Sequence, residues 1–358
     1  MSSDNPITAE QPPAPVSKKS RKIRTEKHII GFLLAICLVL SLFLGALLMF
    51  LVTLEIPNLS TVSHYRPKQA SLIYDRHGRI VDRIFTENRT VIPLSAMPDL
   101  LPKAFIAAED NRFFDHAGLD FFSVLRAAIV NLRRGEKGQG GSTITQQVAR
   151  SLLLTPEKTY IRKFKEAILA WRIDTLLSKK EILYIYLNQI YLGAGAHGVE
   201  AASQAYFKKR ANELTLGEMA MLAGLPQAPS KYSPHAYPKR AAARQMYVLN
   251  RMAAAGYITA EQAREAYQGR ITYRSSSAAD HLAENGYYYE VVRKEVRRRL
   301  DIPLETAGLR IYTPLDSGMQ RRAALAVREG AQDALARVGK KSGDKATRHP
   351  QAALVSIE

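Results

Sequence analysis

Cysteine is nearly absent from this chain, which has one, Cys37, among 358 residues. One thiol cannot form an internal disulfide, so a disulfide framework and a cysteine-based metal site are both excluded. Acidic residues are also scarce beside basic ones, 33 against 51, which gives a formal net charge of +18. Such a surplus is typical of proteins that meet nucleic acid, an anionic bilayer or an anionic substrate.

Charge is missing from the run Ile29 to Leu54, where aliphatic residues and Phe dominate. At ~1.5 Å per residue this run exceeds the ~30 Å core of a bilayer, so we predict a transmembrane signal-anchor helix over residues 28–54. The tail 1–27 is basic and is predicted to stay cytoplasmic, which places the rest of the chain outside a bacterial inner (cytoplasmic) membrane as a single-pass type II protein. Nucleotide and nucleic-acid binding are therefore not expected.

Beyond the apolar run, the spacing of apolar residues divides the chain into three parts. Alternation over Ser71–Arg83 predicts a hairpin that turns at His77–Gly78. From Pro102 to about residue 268 the periodicity is helical. After residue 270 a basic helix and a strand-like Leu309–Thr313 follow, which predicts a linker of different character.

Helix starts are marked by capping boxes at Ser178-x-x-Glu181 and Thr215-x-x-Glu218. Between Thr159 and Leu177 the large side chains recur at helical spacing. We therefore predict that this helix buries one face, made of Phe164, Ile168, Trp171 and Thr175.

Two adjacent acids, Glu109 and Asp110, end a predicted helix just before the aromatic pair Phe113–Phe114. An isolated acidic pair is usually a solvated helix end. Carboxylates are, however, disfavoured at a helix C-terminus, where the macrodipole is already negative. A carboxylate kept there beside aromatic rings could be desolvated, with its pKa raised toward the range of a general base.

A glycine-rich segment, Gly138–Gln147, contains Thr143-x-x-Gln146, the signature of a capped helix start. Free N–H groups at such a start can bind an anion, and a purely structural loop fits equally well. An ATP phosphate loop is excluded because Gly141 stands where that loop needs lysine. Further on, Arg162 and Lys163 share a helix face with Glu166, which by default is a surface ion pair worth ~0.3–0.5 kcal/mol.

Together these segments resemble glycosyltransferase family 51, the peptidoglycan polymerase domain of class A penicillin-binding proteins and of monofunctional transglycosylases. The motifs EDNRFFDHAG, GQGGSTITQQ, RKFKE and KKEILYIYLNQIYLGAGAHGVEAASQAYF stand in the family's order. We assign residues 65–270 to this domain. The resemblance implies a mainly α-helical, lysozyme-like fold with a lobe that dips into the membrane, formed around Phe121–Leu132. A transmembrane helix would precede it and a small α/β linker would follow.

Residues 271–358 are expected to form that linker and the start of a truncated transpeptidase domain, because Gly308–Asp316 resembles the segment that leads into one. The letters Ser-x-x-Lys at Ser342 overlap Lys-Ser-Gly on the same serine, and we interpret both as chance matches. Transpeptidase activity is not expected.

The resemblance implies that lipid II is polymerised into glycan strands, with inversion at the donor's anomeric carbon and release of prenyl pyrophosphate. It makes Glu109 the general base and Glu166 the second essential acid, which could orient Lys163 or the acceptor. We place Lys163, Arg150 and Lys158 against the diphosphate. The full set of predicted substrate-binding residues is Ser142, Thr143, Gln146, Gln147, Arg150, Lys158, Arg162 and Lys163.

Expected partners are lipid II, the lipid-linked glycan and membrane lipids, with other cell-wall synthesis proteins as further candidates. No cofactor is expected to be required and no metal ligands are predicted, although a divalent cation, Mg²⁺ or Mn²⁺, could bridge the diphosphate. Two alternatives stay open. A lysozyme-like wall hydrolase would use a second carboxylate and need no cationic site. A non-catalytic scaffold of cell-wall synthesis would need none of the motifs intact.

Overall fold

The computed structural model describes residues 31–45, 49, 56–63, 65–123, 141–155, 157, 159–273, 278–342 and 352–354. The chain divides into two compact units, Met1–Ile56 and Pro57–Glu358. In the first unit, residues 31–45 form helix α1. Over the ranges just given, no helix is both long enough and apolar enough to cross a bilayer. The predicted anchor 28–54 lies partly outside these ranges, and the predicted tail 1–27 lies wholly outside them.

The second unit is mainly helical, as expected. Its first helices are α2 (Ser60–Ser63), α3 (Leu100–Glu109), α4 (Ile144–Leu153), α5 (Tyr160–Leu176), α6 (Lys179–Gln189) and α7 (Val199–Phe207). They are followed by α8 (Leu216–Gly224), α9 (Pro238–Ala254), α10 (Ala260–Gln268), α11 (Ala278–Arg299) and α12 (Ser317–Ser342). Short 3₁₀ turns lie at Leu94–Ala96 and Ala211–Glu213.

Short strands form two small sheets. The strands are β1 (Ser71–Tyr74), β2 (Ile80–Ile84), β3 (Asn88–Arg89), β4 (Ala196–His197) and β5 (Arg310–Tyr312). The predicted hairpin is confirmed, because β1 and β2 pair antiparallel with Ser71 opposite Ile84. On the other side of β1, β5 pairs parallel, with Leu72 opposite Arg310. The parallel pair β3 and β4 makes the second sheet.

A small apolar cluster fixes the three-stranded sheet to the C-terminal elements. Ile73 and Ile84 pack against Tyr289 of α11 and against Leu304 and Leu315. Ser71 reinforces this contact, since its buried hydroxyl donates to the Leu304 carbonyl oxygen at 2.6 Å. The strand before the helical region and the strand after it are therefore held in one sheet.

The helical core is built around α3. Its residues Leu101, Phe105 and Ile106 are buried, and α8 and α9 pack against this helix. A second group forms where α4 packs against α5 and α6. The carboxyl end of α3 and the amino end of α4 meet between the two groups, and the candidate site is built there.

Local capping signals correctly predicted where helices begin. Thr143, Ser178 and Thr215 each accept a hydrogen bond from the backbone N–H three residues on, and the side chain of that third residue binds back to the cap. The capping box needs two polar side chains at one fixed spacing, so its signal is complete within four residues.

The predicted buried face of α5 is wrong. Phe164 and Trp171 are 39% and 55% exposed, whereas Glu166 and Leu169 on another face are fully buried. The large apolar side chains of α5 instead line an open groove of about 780 Å³. A prediction from apolar spacing assigns charged residues to the exposed face. It therefore could not identify Glu166 as buried, because that burial depends on its pairing with Arg162 and Lys163 of the same helix.

The groove is lined on its other side by the described start of the predicted membrane-dipping lobe. Phe121 and Phe122 are 74% and 72% exposed there. Residues 124–140, which hold the rest of that predicted lobe, lie outside the described residues.

Gly118 allows a loop to contact the backbone of α5. It has a φ of +81°, and a Cβ there would lie 2.5 Å from the Ala170 carbonyl oxygen, whereas Gly78, with a φ of +73°, has open space around it. We expect Gly78→Ala to lower the free energy of unfolding by about 1–2 kcal/mol, the cost of the left-handed conformation. Gly118→Ala should lower it by about 1–3 kcal/mol more, because the added methyl overpacks the contact. Urea unfolding followed by circular dichroism compares the two variants, and equal losses would contradict this account of Gly118.

Candidate active site

Glu109 is the last residue of α3 and lies at the junction of three helices. Its side chain is only 12% exposed. The Gln147 side chain of α4 donates a hydrogen bond from Nε2 to Glu109 Oε2 at 2.9 Å. Arg244 of α9 approaches the other oxygen, with Nη2 at 3.4 Å from Oε1. Each carboxylate oxygen is thus held from a different helix.

The environment of Glu109 favours its protonated form. Burial raises the pKa of the carboxyl above its ordinary value of 4.5, and the neighbouring charge of Asp110 adds to this rise. The Gln147 hydrogen bond and the positive charges of Arg244 and Arg150 lower the pKa and offset part of the effect of burial. A carboxylate with a raised pKa accepts a proton more readily than an ordinary surface glutamate, as a general base must.

Asp110, the next residue, joins the end of α3 to the start of α4. Its Oδ2 accepts a hydrogen bond at 2.9 Å from the backbone N–H of Ile144, the first residue of α4. Its two oxygens also lie 3.0 and 3.1 Å from His116 Nε2. A carboxylate at a helix N-terminus satisfies free N–H groups and interacts favourably with the macrodipole. Asp110 therefore anchors α4 beside the end of α3.

The cap of α4 is tied to the same loop. Thr143 Oγ1 accepts from the Gln146 N–H at 3.1 Å and donates to the Gly118 carbonyl oxygen at 2.6 Å. Gln146 Oε1 accepts from the Thr143 N–H at 2.9 Å. Both side chains are buried and engaged in the cap, so the substrate contacts predicted for Thr143 and Gln146 stay predictions. Gln147, one residue further on, faces Glu109.

The second predicted acid, Glu166, lies in a cluster of charges. Its side chain is fully buried, with Arg162 Nη1 at 3.2 Å from Oε2 and Lys163 Nζ in contact with Oε1. Lys163 Nζ also donates to Ser142 Oγ at 2.7 Å, and its side chain is 47% exposed. A buried carboxylate is tolerated when it is paired in this way. The sequence pattern, which suggested a surface ion pair, did not anticipate the burial.

Arg150 and Lys158 are the other two cations predicted to bind the diphosphate. Arg150, in the last turn of α4, is half-buried and close enough to Glu109 to influence its pKa. Lys158 lies outside the described residues. The structure thus brings together Glu109 with Gln147 and Arg150, and separately Glu166 with Arg162, Lys163 and Ser142. Because Ser142 and Gln147 are five residues apart, both clusters lie at the same end of α4.

Hydrogen bonds around Asp174 of α5 hold these helices together. Its Oδ2 accepts from Thr145 Oγ1 at 3.1 Å and from Lys179 Nζ at 2.7 Å. Lys179 Nζ also donates to the His116 carbonyl oxygen at 2.6 Å. The loop after α3 and the starts of α4 and α6 are therefore joined through one aspartate.

The sequence analysis missed Arg244. In α9 the buried residues Ala241, Gln245, Val248 and Met252 recur at helical spacing. Arg244 lies beside this buried face, where an arginine needs an anionic partner. That position, rather than any motif, is the signal that could have identified it.

Tyr186 of α6 lies close to Glu109, and the sequence analysis did not identify it. Its hydroxyl is buried and has no hydrogen-bond partner among the residues that the structure describes. Burial, together with the negative charge of Glu109, raises the pKa of Tyr186 well above 10.0.

No group of three or more His, Cys, Asp or Glu residues that could hold a metal ion occurs within the described ranges. A cation at the diphosphate therefore stays a proposal.

Comparisons with known proteins identify the family of the domain that holds this candidate site. Residues 77–253 match the family model described as Transglycosylase. The chain is 42% identical over 307 residues to penicillin-binding protein 1A of Aquifex aeolicus, covering 85% of this chain and 41% of that protein. It is 42% identical over 276 residues to penicillin-binding protein 1A of Neisseria flavescens, covering 77% of this chain and 34% of the relative.

Among solved structures, penicillin-binding protein 1A from Haemophilus influenzae aligns with a TM-score of 0.42 and 27% identity, over 81% of this chain and 33% of that one. The chain thus spans about two fifths or less of the length of these relatives. The family model covers the helices and the motifs that build the site. Residues 77–253 of this chain are therefore a transglycosylase domain of glycosyltransferase family 51.

Proposed function

We propose that this chain is a peptidoglycan glycosyltransferase that polymerises lipid II into glycan strands. The observation that carries the proposal is the pairing of a buried carboxylate of raised pKa, Glu109, with a separate cationic cluster around Glu166. Transfer from a lipid-linked diphosphate sugar needs both parts, a base for the acceptor hydroxyl and positive charge for the leaving group.

In the proposed step the acceptor's sugar 4-hydroxyl attacks the anomeric carbon of the donor. Glu109 takes the hydroxyl proton as the new C–O bond forms. The bond from the anomeric carbon to the phosphate oxygen breaks, and its electron pair leaves with the prenyl pyrophosphate. Attack from the face opposite the leaving group inverts the anomeric configuration.

The leaving pyrophosphate is a stable anion, so it needs cations rather than a proton donor. Lys163 is the best placed of the described cations, because its ammonium group is partly exposed while Glu166 and Ser142 fix its position. Arg162, Arg150 and Lys158 are proposed to share the diphosphate, and Ser142 to bind an oxygen of the sugar or phosphate. Charge-assisted hydrogen bonds of this kind are about twice as strong as neutral ones.

Glu166 is proposed to orient Lys163 rather than to transfer a proton. Its carboxylate is fully buried between two cations, which keeps it from serving as the second acid or base that a hydrolase uses. This argues against the lysozyme-like hydrolase. A non-catalytic scaffold is disfavoured because it gives no reason to bury a carboxylate of raised pKa at a helix end.

The proposed setting is a bacterial inner membrane, with the segment 28–54 as a type II anchor and the catalytic domain outside. Membrane lipids, the lipid-linked glycan and other cell-wall synthesis proteins are the proposed partners. Mg²⁺ or Mn²⁺ at the diphosphate would assist the same cations and is not required by the proposed step.

Glu109→Gln tests the general base. We expect polymerisation to fall by about 10²–10⁴-fold, because the amide cannot accept the hydroxyl proton. The measurement is the conversion of labelled lipid II into long glycan strands in detergent, resolved on a gel. Glu261→Gln, at an exposed position of α10, is the matched control and should keep full activity. Polymerisation at the normal rate by Glu109→Gln would show that another group is the base, and release of soluble muropeptides from finished wall would favour the hydrolase.

The raised pKa of Glu109 predicts two pH dependences with different readouts. Polymerisation needs the ionised form, so its rate should fall with falling pH at a midpoint above the ordinary value of 4.5. The stabilising contribution of a carboxyl with a raised pKa is complete below its unfolded pKa and is lost as the pH rises through its folded pKa. The unfolding free energy of Glu109→Gln relative to the natural chain should therefore increase as the pH rises above the ordinary value of 4.5. A constant difference would contradict the raised pKa.

Lys163→Gln tests the cationic cluster. We expect a loss of about 10²–10³-fold in kcat, the usual effect of removing one donor that stabilises developing negative charge. Lys163→Arg should recover part of the rate because it keeps the charge. Arg172→Gln changes an exposed cation on the same helix and should leave the rate unchanged. The lipid II assay measures all three, and equal rates for Lys163→Gln and Arg172→Gln would exclude Lys163 from the site.

A further inference from the structure

Arg244 is an arginine with little access to solvent. Its side chain is 11% exposed, and Nη2 lies 3.4 Å from Glu109 Oε1. The contact joins α9 to the last residue of α3. Guanidinium stays protonated throughout the accessible pH range, so the charge beside Glu109 is permanent.

The position of the guanidinium is fixed by its surroundings. Arg244 Nε donates to the Gly224 carbonyl oxygen at 3.1 Å. Its guanidinium carbon lies 4.4 Å from the ring centroid of Tyr247 and 5.7 Å from that of Tyr232. Gly224 has no room for a side chain, because a Cβ there would lie 2.8 Å from Arg244 Cγ. The C-terminal end of α8 and two aromatic rings thus hold this one side chain in place.

Several other groups face Glu109 and must be weighed with Arg244. Arg150 of α4 is a second cation, and Asp110 is an anion on the adjacent residue. Tyr186 contributes a hydroxyl from α6, and Gln147 a neutral amide from α4. Outside this group, α8 carries Glu218, which is paired with Lys209 at 2.8 Å.

The length of the contact matters for a base. A tight charge-assisted hydrogen bond spans about 2.7–2.9 Å, and such a bond would hold the carboxylate so strongly ionised that it would be a poor proton acceptor. At 3.4 Å the attraction is substantial while the oxygen is less tightly engaged. The positive charge of Arg244 lowers the pKa of Glu109, yet the pKa remains above its ordinary value because burial outweighs this effect.

We propose that Arg244 is the positioning residue of the general base. After each sugar addition its permanent charge favours release of the transferred proton from Glu109 to solvent water, which restores the ionised carboxylate, and the same contact holds that carboxylate in place. This inference rests on the proposed function. A polymerase must release this proton after every bond it makes, and a buried carboxyl with less positive charge beside it releases a proton less readily. Arg244 and Gln147 bind different oxygens of Glu109, so together they also fix the plane of the carboxylate.

The decisive measurement is the pH profile of kcat/KM for Arg244→Gln. In this profile the acidic limb is the fall of kcat/KM at low pH, where Glu109 becomes protonated. Without the positive charge of Arg244, the midpoint of this limb should move to higher pH by about one unit. At a pH below the limb, one unit corresponds to a rate about tenfold lower. Arg244→Lys keeps a charge and should keep the limb close to its natural position. Arg240→Gln, one turn earlier on α9 and exposed, is the matched control and should leave the profile unchanged.

Gly224→Ala provides a second variant in which the charge is displaced rather than removed. The added methyl should push the Arg244 side chain from its place, lower kcat more than it raises KM, and move the limb in the same direction as Arg244→Gln. An unchanged limb in both Arg244→Gln and Gly224→Ala, or an equal shift in Arg240→Gln, would overturn the inference.

A readout without substrate separates this inference from the proposed function. The difference in unfolding free energy between Glu and Gln at position 109 can be followed against pH in the natural chain and in the Arg244→Gln background. In the Arg244→Gln background we expect this difference in unfolding free energy to go on changing up to a higher pH than in the natural chain. If the natural chain polymerises no lipid II, the proposed function fails, and this titration still decides whether Arg244 sets the ionisation of Glu109.

Discussion

The hydrogen bond from the Ile144 backbone N–H to the Asp110 carboxylate, 2.9 Å long, determines where α4 begins relative to the end of α3. Most of the site depends on this junction. It places Gln147 against Glu109 and brings Ser142, just before the helix, to Lys163. The buried Asp110 carboxylate satisfies the Ile144 N–H and interacts favourably with the macrodipole of the helix start. The adjacent acids therefore have different roles, since Asp110 binds the start of α4 and Glu109 is the proposed general base.

Glu109 and Glu166 show how the surroundings of a glutamate determine what it can do. Both carboxylates have little access to water. Glu166 is compensated by two close cations on its own helix, so it is neutralised where it stands and acts as a support. Glu109 has one neutral amide, one guanidinium at 3.4 Å and the charge of Arg150 nearby, and these do not fully offset its burial. The incompletely compensated carboxylate is the one able to accept a proton.

Features encoded within a few residues were predictable from the sequence. The capping boxes at Ser178 and Thr215 need only a fixed spacing of two polar side chains, and both formed as expected. The contact between Glu109 and Arg244 joins residues 135 positions apart, and no local pattern encodes it. The face of α5 was misjudged for a related reason, because burying Glu166 becomes favourable only when Arg162 and Lys163 reach its carboxylate. The motifs therefore supplied the candidate residues, and packing between distant helices determines the electrostatics around them.

The parallel pairing of β1 with β5 has a consequence for how the protein is made. Residues 72–74 can complete their sheet only after residues 310–312 have been synthesised, because these strands are neighbours. The helices between them rely on contacts closer in sequence and can form earlier, since local contacts close smaller loops. Until β5 arrives, one edge of β1 stays unpaired, and an open strand edge invites pairing with other chains. A ribosome-bound chain that stops before residue 310 would therefore carry a folded helical region beside an aggregation-prone hairpin.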